Sequence, residues 1–502
     1  MAEEVELKLA LAEEHQARFL RHPLLKQALR RHVENLDNIY YDTEDLSLRR
    51  RGIALRLRRK GHLWLQTVKL AGASAAGLSS RPEWETPYAG HFDFSAIEQP
   101  AVREWLQRPK LLARIVPICE TRFRRITWEF AAAPGRVLLT LDRGWIVANG
   151  RREAISEVEL ELAAAPVHAI FAIATQLAQR AALTPAVLSK AERGYRLHAG
   201  TPPAPFKAGA VGLSAEMPPG DAFRRIALSC LEHLQQNHHG ALTSDDPEYI
   251  HQMRVATRRL RAALRLFAPV LRDGLADSLR LPLAALMTQL GRARDLDVLL
   301  TEIANPVLSA LPNEPRLPAL ASDITNRRYA ARAEALALLA APDYGRTLLA
   351  ALESLHPEPA ADTGAVIPLQ GFATGRLRRL RKKLRRLAAA ARLEQPATLH
   401  ALRIGVKRLR YALEFFAPLA RERAFAPALQ RLAAIQDTLG QLNDLANAGA
   451  LLMDCAGDDP RLREAVTLIG GWHGPRYAAL LESITPELGR LARLQLPPLA
   501  AA

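Results

Sequence analysis

Cysteine is scarce. The 502 residues include three, Cys119, Cys230 and Cys455, far apart and odd in number. Neither a disulfide framework nor a clustered zinc site can be built from them, and a reducing, cytoplasmic compartment is the expected setting. Aromatic residues reach 6%, too few to supply the stacking platforms of single-stranded nucleic-acid recognition, so nucleic acid is not an expected partner. No apolar run of about 18 uncharged residues occurs, and the opening Met-Ala-Glu-Glu-Val-Glu has neither the basic nor the apolar segment of a signal peptide. No membrane association is expected. What the chain does have is positive charge: 68 Lys plus Arg against 52 Asp plus Glu, a net +16, on an otherwise ordinary background of 49% hydrophobic residues. Such an excess points to polyanions as partners. At roughly 150 residues per domain, two or three folding units are expected.

The chain divides at residues 200–220, GTPPAPFKAGAVGLSAEMPPG, whose five prolines and four glycines can support neither a helix nor a central strand. Before this linker, short alternating runs carry the period of two of β-strands: EVELKL (4–9), IALRLRR (53–59), HLWLQTVKL (62–70), RVLLTLDRG (136–144) and SEVELEL (156–162). After it, Leu, Ala and Arg recur three and four apart, the period of helices, with breaks at proline-bearing loops near 305–315 and 356–368. The expected architecture is a multidomain α+β chain: a mainly antiparallel β domain over 1–199 and an all-α region over 221–502. The helical region repeats itself, since IHQMRVATRRLRAALRLFAP (250–269) matches LHALRIGVKRLRYALEFFAP (399–418) and LGRARDLD (290–297) matches LGQLNDLA (439–446), both at an offset of 149. Two matches at one offset indicate a duplicated bundle, with repeats at about 221–355 and 369–495.

The β half stores charge of both signs on strand faces. Alternation puts Glu4, Glu6 and Lys8 on one face; Arg56, Arg58 and Lys60 on another; Arg81, Glu83 and Glu85 on a third; and Glu157, Glu159 and Glu161 on a fourth. One such face alone would read as a solvated strand. Their recurrence suggests a closed barrel with a hydrophilic lumen. Packed carboxylates repel unless a cation neutralises them, and an all-oxygen ligand set suits Mg2+ or Mn2+. Clustered Arg and Lys equally require an anion, and a metal-escorted polyphosphate supplies both. His62, beside Gly61 at an expected hairpin turn, and Cys119 are given no role.

These residues carry a family resemblance. Glu4-Glu6-Lys8, NIYYDT (38–43), Arg56 and Arg58, Lys69, Arg81 to Glu83, Arg125 in TRFRRITW, Asp142 in LDRG, Glu157 to Leu162, and Lys190 in SKAERGY resemble, in order, the CYTH domain of triphosphate tunnel metalloenzymes. The resemblance implies an eight-stranded antiparallel tunnel that hydrolyses inorganic triphosphate with Mg2+ or Mn2+. It implies Glu4, Glu6, Glu157, Glu159 and Glu161 as catalytic and metal residues, and Lys8, Arg56, Arg58, Lys69, Arg81, Arg125 and Lys190 as triphosphate ligands, with Glu83 and Asp142 as further tunnel candidates. Adenylate cyclisation by the same fold, and a polyphosphate-granule scaffold with a vestigial tunnel, stay open as alternatives.

In the helical half, a rotation of about 100° per residue puts His251, Arg254, Arg258, Arg261 and Arg265 within roughly 80° of arc, opposite an apolar face. The second copy offers His400, Arg403, Lys407 and Arg410. RLRRLRKKLRRL (376–387), with Arg378, Arg379 and Lys382, adds eight cations without an intervening acid. On one helix such crowding is self-repulsive, so an anion is expected to compensate. The two His-x-x-Arg helices with RARDLD and QLND resemble the CHAD domain over about 221–490, which implies paired four-helix bundles that bind inorganic polyphosphate and an association with polyphosphate granules.

Overall fold

The computed structural model describes residues 3–200, 202–271, 274–356 and 367–499, and the chain forms two compact units. The first gathers Met1–Pro205, His238–Gly240 and Ala340–Ala360, and the second Phe206–Asn237, Ala241–Leu339 and Ala361–Ala502.

In the first unit eight antiparallel strands close into a ring. In ring order they are β1 (Glu3–Leu11), β9 (Arg151–Ala163), β8 (Gly135–Ala148), β7 (Ile115–Ala132), β2 (Arg30–Thr43), β3 (Ile53–Lys60), β4 (Leu63–Leu70) and β6 (Leu78–Pro87), and β6 pairs back onto β1. Short β5 (Ala73–Ala75) and β10 (Leu183–Pro185) extend from β6 and β1. The alternation seen in the sequence becomes an inside and an outside. Leu7, Leu9, Val158 and Leu160 are fully buried in the outer wall beneath the helix Val167–Ala178. The charged residues between them face the lumen. Two long strands, β2 and β7, escape a reading by short alternating runs because irregular polar positions interrupt their pattern; the register slips between Tyr40 and Tyr41.

Every described element from Pro219 onward is helical. The helix Pro396–Phe416 repeats Pro247–Phe267 with both ends displaced by 149 residues (247 to 396, 267 to 416). The loop expected over 305–315 is shorter than the prolines suggest. Leu299–Ala304 forms a π-helical turn and Asn305–Ala310 a further helix, where the second repeat runs unbroken through Ala426–Ala456. Pro306 removes a backbone donor and so shifts the hydrogen-bond ladder without ending the helix. The break expected at 356–368 falls largely outside the described residues. Pro342–Leu355 packs against Val167–Ala178 and β10, and so belongs to the first unit although it follows the first helical repeat in sequence. The linker has neither helix nor strand from 202 to 218, yet it is tethered: Asn237 brackets Phe206 through its backbone N–H (2.9 Å) and carbonyl (3.0 Å). Among the described residues no single helix is long and apolar enough to cross a membrane.

Candidate active site and anion-binding surface

Strand register assembles the lumen. On β1 and β9, Glu6 faces Glu161 and Lys8 faces Glu159; on β1 and β6, Glu4 faces Arg81; on β4 and β6, Lys69 faces Glu83; on β7 and β8, Arg125 faces Asp142. The result is a cavity of about 520 Å3 lined by seven cations (Lys8, Arg56, Arg58, Lys69, Arg81, Arg125, Lys190) and six carboxylates (Glu4, Glu6, Glu83, Glu85, Glu159, Glu161). Asp142 and Glu157 lie behind this wall, at 0% and 3% exposure. His62 is exposed at its turn.

Lys190 closes the deepest part. It heads the helix Lys190–Ala199, which Ser189 caps by accepting the Glu192 N–H (3.1 Å) and Gly200 ends in the left-handed region (φ 64°). Gly194 lets this helix approach β7, for a Cβ there would stand 2.3 Å from Cys119 Sγ. Cys119 is thus a packing residue, its thiol pushed up to about 12 by burial. The Lys190 ammonium reaches Asp142 (2.7 Å) and Glu159 (3.0 Å) and also pairs with Glu157. Arg125 grips Asp142 through two bonds (2.7 and 2.6 Å) and Glu159 through a third (2.7 Å). Burial opposes the Lys190 charge, but Asp142, Glu157 and Glu159 outweigh it and raise its pKa. Burial equally opposes Glu159, and Lys190, Lys8 and Arg125 hold it well below the usual range. Arg193, which the sequence reading passed over, donates to Glu157 (3.0 Å); its spacing of three from Lys190 on one helix face was the available signal. Asn38 of NIYYDT was a second omission. It accepts from Arg58 (3.0 Å) and donates to Thr121 (2.9 Å), which fixes the Arg58 side chain.

Elsewhere in the lumen Lys69 binds Glu4 (2.7 Å) and Glu83 (2.9 Å), and Arg81 binds Glu6 (2.5 Å). Glu161 has no ion pair among the described residues. Burial, then the like charges of Glu4, Glu6 and Glu83, push its carboxyl up to about 7 despite Lys69. A carboxyl that keeps its proton near neutrality beside three other carboxylates is short of one cation. Cation excess has its mark too: burial and the neighbouring Arg56 and Arg125 lower Arg58 to about 10, and the buried Nε of Arg56 has no hydrogen-bond partner.

One carboxylate cluster among the described residues could hold a metal. Asp142, Glu157 and Glu159 offer oxygens within 4.8 Å of one another, but the Lys190 ammonium stands among them. Glu4, Glu6 and Glu161 line the cavity together; Lys69 and Arg81 pair with Glu4 and Glu6, and Glu161 keeps a proton that a cation would displace.

In the helical unit, Arg254, Arg258, Arg403 and Lys407 from the two repeats lie within electrostatic reach of one another and of Asp444. Burial, then Arg403 and Arg258, drive the Lys407 ammonium down to about 7. His251 is lowered by burial and by Arg294, Arg258 and Arg254 against the pull of Glu248. His400 Nδ1 lies 3.2 Å from the Asn443 side-chain oxygen, and Arg254 lies 3.7 Å from Asp295. An adjoining cavity of about 480 Å3 is lined by Arg258, Arg261, Arg265, Arg376, Lys407 and Arg408 over an apolar floor that includes Leu266, Met287, Leu380, Ile404 and Phe415, with no carboxylate. Arg410 is instead paired with Glu414 (3.3 Å), and Arg378, Arg379 and Lys382 are exposed and do not line this cavity. Arg376 and Arg408 also line it, and their contribution depends on how three helices converge.

The CYTH domain profile matches residues 2–195 and the CHAD domain profile residues 225–453. An inorganic triphosphatase of Haemophilus influenzae is 30% identical over 198 residues, 39% of this chain and 55% of that protein, so the chain spans about half the length of that curated relative. The crystal structure of the CHAD domain from the plant Ricinus communis is 36% identical, with a TM-score of 0.51 over 59% of this chain and 99% of that one. The helical part of the chain therefore belongs to the CHAD family, and the β part that precedes it matches the CYTH domain.

Proposed function

We propose that the tunnel hydrolyses inorganic triphosphate to diphosphate and phosphate with Mg2+ or Mn2+, and that the helical unit binds inorganic polyphosphate. The observation that carries the enzymatic reading is the charge balance of the lumen: seven cations against six carboxylates in one cavity of about 520 Å3. A triphosphate adds several negative charges to this nearly balanced wall, so it must arrive with divalent cations. Glu4, Glu6 and Glu161 are the residues that would hold the ion, and Glu159 could join them once substrate draws Lys190 away. When bound, the ion neutralises phosphoryl oxygens and lowers the pKa of a coordinated water.

The chain's own groups supply the rest. Arg56, Arg58, Arg81 and Arg125 present planar forks to phosphate oxygens, and Lys8 and Lys69 add point charges, which together position the anhydride for in-line attack. Phe123 is a poor platform for a nucleobase, since it is buried against Leu36, Ile146 and Ile155 with Arg125 and Lys190 5.6 and 5.1 Å from its ring centre. This favours an inorganic chain over ATP. The decisive experiment measures phosphate release from triphosphate, long-chain polyphosphate, ATP and thiamine triphosphate, each with Mg2+, Mn2+ and chelator. Triphosphate should be preferred and the chelator should stop the reaction; cyclic AMP from ATP would reverse the assignment. For the helical unit, the acid-free cavity and the depressed Lys407 ammonium support an anion that touches many cations at once.

A further inference from the structure

A second cationic cleft lies on the outer side of the barrel wall. The turn between β2 and β3 and the segment leading into β7 enclose about 540 Å3 lined by Arg50, Arg51, Trp105, Arg108, Lys110 and Arg114. Its elements are anchored from behind, because Leu48, Leu106 and Leu111 pack with Ile53, Leu55 and Val68 into a small core over β3 and β4. One carboxylate, Asp45, pairs with both Arg50 and Arg114. Arg51, Arg108 and Lys110 have no carboxylate partner among the described residues. Five cations against one acid leave an uncompensated charge that a fixed anion would relieve.

The aromatic residue in the cleft selects among anions. Arg51 lies 4.6 Å over the Trp105 ring centre, and Trp105 also packs against the outer core, so its ring is not a free platform for a base. The cleft therefore reads charge and not nucleobases. We propose that it is an auxiliary docking site for inorganic polyphosphate, holding a stretch of chain against the outside of the tunnel unit. The identity of the ligand rests on the polyphosphate reading of the helical unit; the site rests on its own residues.

The test is acetylation of lysines by an activated ester in the full chain, read residue by residue by mass spectrometry, with and without long-chain polyphosphate. With polyphosphate at about ten times its Kd, Lys110 should react about tenfold more slowly, and high salt should restore its reactivity. If Lys110 reacts unchanged while Lys407 is protected, the cleft proposal fails and the reading of the helical unit survives. If neither is protected, both fail. Equal protection of Lys110 by single-stranded DNA would overturn the choice of polyphosphate. The double variant Arg108→Ser/Lys110→Ser, in exposed positions, should lose roughly fivefold in polyphosphate affinity with triphosphate turnover unchanged; undiminished affinity would count against the site.

Discussion

Replacing Glu161 with Gln should stop catalysis and yet stabilise the metal-free tunnel. In the fold its carboxyl is pushed to about 7 from an ordinary 4.5, first by burial and then by Glu4. Between those two pH values the folded chain keeps a proton that the unfolded chain has released, so stability falls as pH rises through this window and the whole amount is lost by pH 8. At 1.36 kcal/mol per pKa unit the loss is roughly 3 kcal/mol. The amide that replaces the carboxyl does not titrate, so the variant should escape this loss. For a unit of this size each kcal/mol is worth about 2–4 °C, and the variant should melt roughly 5–10 °C above the parent protein in chelator at pH 8, with little difference at pH 4.5. Tryptophan fluorescence suits the measurement, because Trp64, Trp84, Trp105, Trp128 and Trp145 lie in the first unit and only Trp472 in the second. Added Mg2+ should raise the melting temperature of the parent more than that of the variant. A variant that melts at or below the parent in chelator at pH 8 would refute the account of Glu161 as a carboxyl awaiting a cation.

Glu6→Gln should likewise abolish phosphate release with the fold intact, and near-normal turnover would remove Glu6 from the site. Lys190→Met strands three buried carboxylates, and urea denaturation should register a loss of about 3–5 kcal/mol in the tunnel unit; a loss below about 1 kcal/mol would mean that water or Arg125 already satisfies them. Lys407, at about 7 in the fold against 10.5 ordinarily, binds fewer protons folded than unfolded, so its contribution to stability rises with pH across that interval. An incoming polyanion should recharge it. Polyphosphate affinity, followed by fluorescence anisotropy, should therefore weaken from pH 6.5 to 8.5, and Lys407→Arg should flatten that slope. The same affinity should fall steeply with salt through counterion release; binding indifferent to salt would exclude an extended cationic contact.

Much of the tunnel was legible in the sequence because strand side chains alternate with a period of two. EVELKL and EVELEL announce an apolar face and a carboxylate face before any pairing is known, and the buried Leu7, Leu9, Val158 and Leu160 occupy the apolar one. The duplicated helices were equally plain, since an offset of 149 needs no third dimension. Roles within the charge set were less accessible. Lys190 reads as one more phosphate ligand and does line the cavity, but only the fold shows that it also pairs with Asp142, Glu157 and Glu159, because β8, β9 and the helix Lys190–Ala199 converge from positions far apart in sequence. Arg378, Arg379 and Lys382 read as part of a cationic stripe and are exposed, and only the helix's rotation shows that Arg376 turns into the adjoining cavity.

Periodicity, charge sign and internal repetition belong to the chain itself, and they determined that it contains a barrel storing both signs of charge and a doubled cationic bundle. Which carboxylate is left without a counter-ion, and which ammonium is forced toward neutrality, only tertiary structure decided. The reason is physical: a pKa and an ion pair depend on distance and on exclusion of water, and both are set by residues brought together from remote parts of the sequence.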